Sequence, residues 1–67
     1  MKLYNYIKWY AKKDYIEFYD ARSDKLLAIK HPDIDSAFIH LIKCDKLSSP
    51  LEVALHRKLT ELEYIEA

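Results

Sequence analysis

The alternation of side chains between Leu3 and Lys30 constrains this chain more than any other feature. Successive residues of a β-strand point to opposite faces. Laid out as three antiparallel strands joined by two short turns, this stretch sorts its side chains by chemistry. A tight turn at Ala11-Lys12-Lys13-Asp14 sets Tyr10 opposite Tyr15, Trp9 opposite Ile16, Lys8 opposite Glu17, Ile7 opposite Phe18 and Tyr6 opposite Tyr19. A second turn at Ala21-Arg22-Ser23-Asp24 sets Asp20 opposite Lys25, Phe18 opposite Leu27 and Ile16 opposite Ile29. One face then gathers Ile7, Trp9, Ile16, Phe18, Leu27 and Ile29. The other gathers Tyr4, Tyr6, Tyr10, Tyr15 and Tyr19, with Lys8 against Glu17. Cross-strand neighbours on one face stabilise a sheet when they match in this way. Leu3, Tyr6, Ile7 and Tyr10 also fall at helical spacing. The strand preference of Tyr, Trp and Ile, and the coherence of the pairing, decide for a strand.

Glycine is absent, so both turns must use Ala, Lys, Arg, Ser or Asp. Type I turns accept these residues, whereas turns needing a positive φ are strained without glycine. His31-Pro32 ends the third strand, because proline cannot donate to a ladder and pushes its predecessor toward extended geometry. Asp33 or Asp35 then caps a helix expected over 33–47, whose apolar stripe is Ile34, Ala37, Phe38, Leu41, Ile42 and Cys44. Ser49, Pro50 and Glu52 read as N-cap, first helical residue and capping-box partner. They open a second helix expected over 49–66. Leu51, Ala54, Leu55, Leu59, Leu62 and Ile65 form a stripe about 140° wide on it, enough to face a core. Val53, Arg57 and Tyr64, with Thr60, lie on its opposite side.

The expected fold is therefore α+β in the order βββαα, a three-stranded antiparallel meander over 3–30 followed by two helices packed on one face. Residues 1–67 form a single small domain. A sheet with one apolar face and two helices with one apolar stripe each bury all three surfaces by layering. The tyrosine face is left open. At this length folding removes only about 60% of the surface the unfolded chain exposes, so the stability margin is thin.

Cys44 is the only cysteine, so no disulfide within the chain adds to that margin. No apolar run approaches the ~20 residues of a membrane span. Lys8, Lys12 and Lys13 interrupt any signal-peptide centre. A cytoplasmic location is expected. The formal net charge is zero but unevenly spread. Residues 1–30 carry seven Lys/Arg and four Asp/Glu, or +3; residues 31–67 carry four and seven, or −3. Chains without net charge resist self-association poorly, so a homodimer is expected.

Two surfaces stand out as candidates for partner binding. The first is the tyrosine face, Tyr4, Tyr6, Tyr10, Tyr15 and Tyr19, because exposed aromatic patches mark contact surfaces and Tyr offers large area with little entropy to lose. The second is the outer strip of the last helix, Val53, Arg57 and Tyr64. The alternative use of the first face is to stack nucleic-acid bases, with Lys2, Lys8, Lys12, Lys13 and Lys30 on the phosphates. Glu17, Asp14 and Asp20 dilute that field, and a dedicated nucleic-acid binder carries a positive excess.

His40 and Cys44 stand one helical turn apart, a spacing that presents two zinc ligands, and His31 and His56 are the available complements. No CxxC or paired ligand motif accompanies them, and Cys44 falls on the apolar stripe, so no metal and no cofactor is expected. No nucleophile elbow, phosphate loop or paired-acid motif is present, so no catalytic residue is assigned and a non-enzymatic protein is expected. His31-Pro32-Asp33 resembles the tripeptide of J-domain co-chaperones, where it joins two long antiparallel helices. The segment before it here is broken by Asp20, Ser23 and Asp24, which reads instead as a strand stop followed by a helix cap. The expectation is a small protein–protein interaction module. Its prevalence of Lys over Arg and its lack of motifs suit an accessory or inhibitor protein of a phage or mobile element acting on a host protein.

Overall fold

The structure, a computed structural model, describes residues 1–44 and 46–66. Asp45 and Ala67, which the expected first helix and the expected domain include, lie outside the described residues. The elements run β1 (Ile7–Lys12), β2 (Tyr15–Asp20), β3 (Lys25–Lys30), α1 (Ile34–Lys43) and α2 (Pro50–Glu61). The three strands form one antiparallel sheet in the order β1-β2-β3, and the expected βββαα order holds.

The second hairpin has the expected register, with Asp20 opposite Lys25, Phe18 opposite Leu27 and Ile16 opposite Ile29. The first does not. Ile7 pairs with Asp20, Lys8 with Tyr19, Trp9 with Phe18, Tyr10 with Glu17 and Lys12 with Tyr15. The pairing is displaced by two residues from the alternation-based register. The connection shrinks to Lys13-Asp14, and neither residue needs a positive φ. A two-residue slip leaves every side chain on its own face because the strand period is two, so alternation cannot distinguish the two registers. The slip does change the neighbours. Tyrosine no longer faces tyrosine across the first hairpin; lysine or glutamate does.

In the second hairpin Asp24 adopts φ 55°, a left-handed conformation that Asp tolerates better than most residues. The buried Asp20 carboxylate closes this turn. It accepts from the Arg22 backbone N–H at 2.9 Å and from Arg22 Nε and Nη2 at 3.1 and 3.0 Å.

α1 begins after Asp33, which occupies the cap position without a side-chain bond to the helix. The helix stops at Lys43, short of the expected Leu47, and Cys44 turns to extended geometry. Cys44 is exposed rather than part of the apolar stripe. Ending α1 there lets the chain reverse so that Ser48 and Ser49 meet α2. At α2 the expected cap is present: Ser49 Oγ accepts from the Glu52 N–H at 3.2 Å and donates to Glu52 Oε2 at 3.1 Å.

α2 ends at Glu61, not at residue 66. Glu63 takes φ 59°, the Glu63 N–H donates to Thr60 O at 3.1 Å and the Tyr64 N–H donates to Leu59 O at 2.9 Å. This is a Schellman stop with glutamate where glycine is usual. It swings the last residues back across the N-terminus. Leu3 and Ile65 bridge antiparallel, with Tyr4 N donating to Tyr64 O at 3.0 Å and Glu66 N to Lys2 O at 2.9 Å.

The core lies between the sheet and the helices. Ile16, Phe18, Ile34, Phe38, Leu41 and Leu59 are fully buried. Phe18 meets Phe38 edge-on at 5.3 Å and Tyr64 at 5.9 Å between ring centroids. Trp9, on the same face but on an edge strand, packs edge-on against Phe38 at 4.9 Å and remains 41% exposed.

Candidate functional site

Because both helices cover one face, the opposite face is open. Its side chains run in three rows across the sheet: Lys8, Tyr19 and Leu26; Tyr10, Glu17 and Ala28; Lys12, Tyr15 and Lys30. Tyr10 is 53% and Leu26 64% exposed. Lys8, Trp9, Tyr10, Glu17, Tyr19 and Leu26 line a shallow dish of about 220 Å³. The Lys12 ammonium lies 5.7 Å from the centre of the Tyr10 ring; hydrogen bonding to Tyr10 holds it above the usual lysine range. Tyr19 donates to Asp24 Oδ1 at 2.5 Å, and that bond, with partial burial, pushes its phenol up. Such contacts limit the ring motion that binding must otherwise freeze.

The structure divides the five sheet tyrosines. Tyr10, Tyr15 and Tyr19 share the open face. Tyr4 and Tyr6 stack on each other at 5.1 Å and 13° and are held at the end of the sheet by the C-terminal turn. Tyr6 donates to Glu63 O at 2.8 Å, and the Arg22 guanidinium lies 4.1 Å over its ring. Arg22 in turn donates to Leu62 O at 3.2 Å. Burial pushes the Tyr6 phenol up, while Arg22 holds the Asp20 carboxyl below the usual carboxylate range. These side chains tie the second hairpin to the end of α2.

The expected helix strip is also divided. Val53 and Arg57 are exposed and, with Leu47, Pro50 and Ala54, line a groove of about 510 Å³. Tyr64, expected on that strip, is instead 6% exposed and part of the core. The stop at Glu63 takes it off the helical wheel that placed it outside.

A polar cluster between α1 and α2 escapes sequence reasoning. The Glu52 carboxylate is buried. It pairs with His40 Nδ1 at 2.5 Å and accepts from Ser48 Oγ at 2.9 Å, Ser48 N at 3.3 Å and Ser49 Oγ. Burial alone pushes this carboxyl up, but the His40 and serine hydrogen bonds outweigh it and bring it to about 2. The capping box flagged Glu52 as a helix-start residue; nothing in its spacing showed that a histidine twelve positions earlier would complete the site. His40 is thereby committed to Glu52 and Cys44 faces solvent at the helix end. Among the described residues, no group of three or more His, Cys, Asp or Glu is arranged to hold a metal ion.

His31-Pro32-Asp33 stands between a strand and a helix, and His31 Nδ1 accepts from the Asp33 N–H at 3.0 Å. Among the described residues, no helix is long and apolar enough to cross a membrane. Comparison with known protein families, with curated proteins and with solved structures returns no match.

Proposed function

We propose that this chain is a non-enzymatic interaction module whose open sheet face binds another protein. The observation that carries this reading is the packing of both helices on one side, which leaves Tyr10 and Leu26 more than half exposed on the other. Aromatic and aliphatic side chains exposed together on a small domain mark contact surfaces. Lys8, Lys12 and Lys30 frame the patch and suit a partner surface whose apolar centre is ringed by carboxylates. The groove beside Val53 and Arg57 offers a secondary contact. An inhibitor or accessory role for a phage or mobile element acting on a host protein fits a compact chain that exposes an aromatic and aliphatic surface.

A second reading is favoured by one row of the sheet. Lys12, Tyr15 and Lys30 alternate cation and ring, as in surfaces that stack bases and neutralise phosphates. One experiment separates the readings. The chain is immobilised and offered native lysate or a labelled single-stranded RNA, beside a variant carrying Tyr10→Ser and Tyr15→Ser. The protein-binding reading expects a captured protein that the double variant loses at least tenfold, with weak dependence on salt. Equal capture by the variant contradicts it. So does retention of RNA alone with affinity falling steeply as salt rises, the signature of phosphate contacts.

A further inference from the structure

We infer that the free edge of β3 is a self-pairing surface that joins two copies of this chain through a continuous six-stranded sheet. The backbone directions follow from one hydrogen bond. The His31 N–H donates to Asp14 O at 2.9 Å, and these residues continue the β2–β3 register. Backbone groups of a strand alternate between its two sides. Lys25, Leu27 and Ile29 therefore face β2, and Leu26, Ala28 and Lys30 present their N–H and C=O groups outward. Among the described residues no strand lies on that side of β3.

The sequence of this edge is exceptional within the chain. Its interior, Leu26-Leu27-Ala28-Ile29, carries no charge, and Leu26 is 64% exposed. Exposed apolar edges of this kind pair with other strands unless something blunts them. The other edge is blunted. β1 has Lys8 in its interior, and the outward Ile7 N–H is already donated to Tyr4 O at 3.1 Å.

A second copy fits better than an unrelated strand because the edge is complementary to itself. A two-fold axis through Ala28 pairs Leu26 with Lys30 of the copy and Ala28 with its counterpart, using all the outward backbone groups. On the inner face it sets Leu27 against Ile29 of the copy, apolar against apolar, at the closer type of pair. The chain's zero net charge gives two copies no net repulsion. A stable interface buries roughly 1,000 Å² in total. The apolar groove of about 140 Å³ between Ile29, Ile34, Leu51 and Leu55 adjoins this edge and adds to the area the strands supply.

Sedimentation equilibrium on the intact chain tests this independently of the open-face reading. The wild-type chain is expected to be a reversible dimer at about 100 µM, in keeping with an interface at the small end of the range. Ala28→Pro removes an outward N–H and no hydrogen bond to β2, so it is expected to give a folded monomer. If that variant fails to fold, the charge pair decides. Leu26→Glu faces Lys30 of the copy and is expected to dimerise at least threefold more tightly than Leu26→Lys. A monomeric wild-type chain at that concentration overturns the inference. So does a folded, dimeric Ala28→Pro variant, or equal dimerisation of the two Leu26 variants. Loss of the dimer in Tyr10→Ser with retention in Ala28→Pro moves the contact to the open face.

Discussion

His40 Nδ1 and Glu52 Oε1 lie 2.5 Å apart and join α1 to α2 through a buried carboxylate. The Glu52 carboxyl falls from its ordinary 4.5 to about 2 in the folded chain. A group whose folded value is depressed contributes stability that is complete above the unfolded value and lost as pH falls through the folded one. Melting temperature is therefore expected to fall as pH drops from about 4.5 to about 2. Glu52→Gln is expected to melt lower at pH 7 and to show a shallower acid decline, the remainder coming from Asp20. Thermal melts by circular dichroism across that range check this; a variant with an undiminished acid slope contradicts it.

The Ser49 hydroxyl satisfies the first turn of α2 and touches the same carboxylate. Ser49→Ala is expected to destabilise the fold by about 1 kcal/mol, and Ser49→Thr, which retains both the acceptor for the Glu52 N–H and the hydroxyl donor to its carboxylate, by less. Chemical denaturation measures both. Equal losses in the two variants show that the cap geometry is not what matters.

Glu63 holds a left-handed conformation that a Cβ disfavours by about 1–2 kcal/mol. Glu63→Gly is expected to stabilise the chain by about 0.5–1 kcal/mol after the added freedom of the unfolded state is subtracted. Glu63→Ala is expected to bring no gain. The Tyr6 hydroxyl bonds the Glu63 carbonyl, which both variants keep.

Phe38 is fully buried and meets both Trp9 and Phe18. Phe38→Ala removes about 3–5 kcal/mol, comparable with the whole stability of a domain this small. It is expected to be largely unfolded at 37 °C, whereas Phe38→Leu is expected to fold. Trp9 is the sole tryptophan, so its fluorescence reports both outcomes directly.

The sheet, its faces, the second hairpin and the α2 cap were legible because each rests on a local pattern. Alternation assigns Ile16 and Phe18 to the core and Tyr15 and Tyr19 to the open side. Ser49-Pro50 with Glu52 marks a helix start by its spacing. The first-hairpin register was not legible, because displacing Trp9 from Ile16 to Phe18 leaves both faces chemically intact. The helical wheel misplaces Tyr64 because glutamate gives no sign of a left-handed stop at residue 63. Alternation alone groups Tyr4 and Tyr6 with the contact face, since nothing local shows Arg22 and the C-terminal turn closing over Tyr6. The His40–Glu52 pair depends on how α1 and α2 approach each other, which neither helix specifies alone.

The open face of the sheet, not the helical side, is expected to meet the protein partner. Amide and side-chain chemical-shift mapping of the labelled chain with its captured partner tests it most directly. Perturbations are expected to concentrate at Lys8, Tyr10, Tyr15, Glu17 and Tyr19, with the groove at Val53 and Arg57 affected less. Perturbations confined to α2, with those strand resonances unmoved, would contradict it.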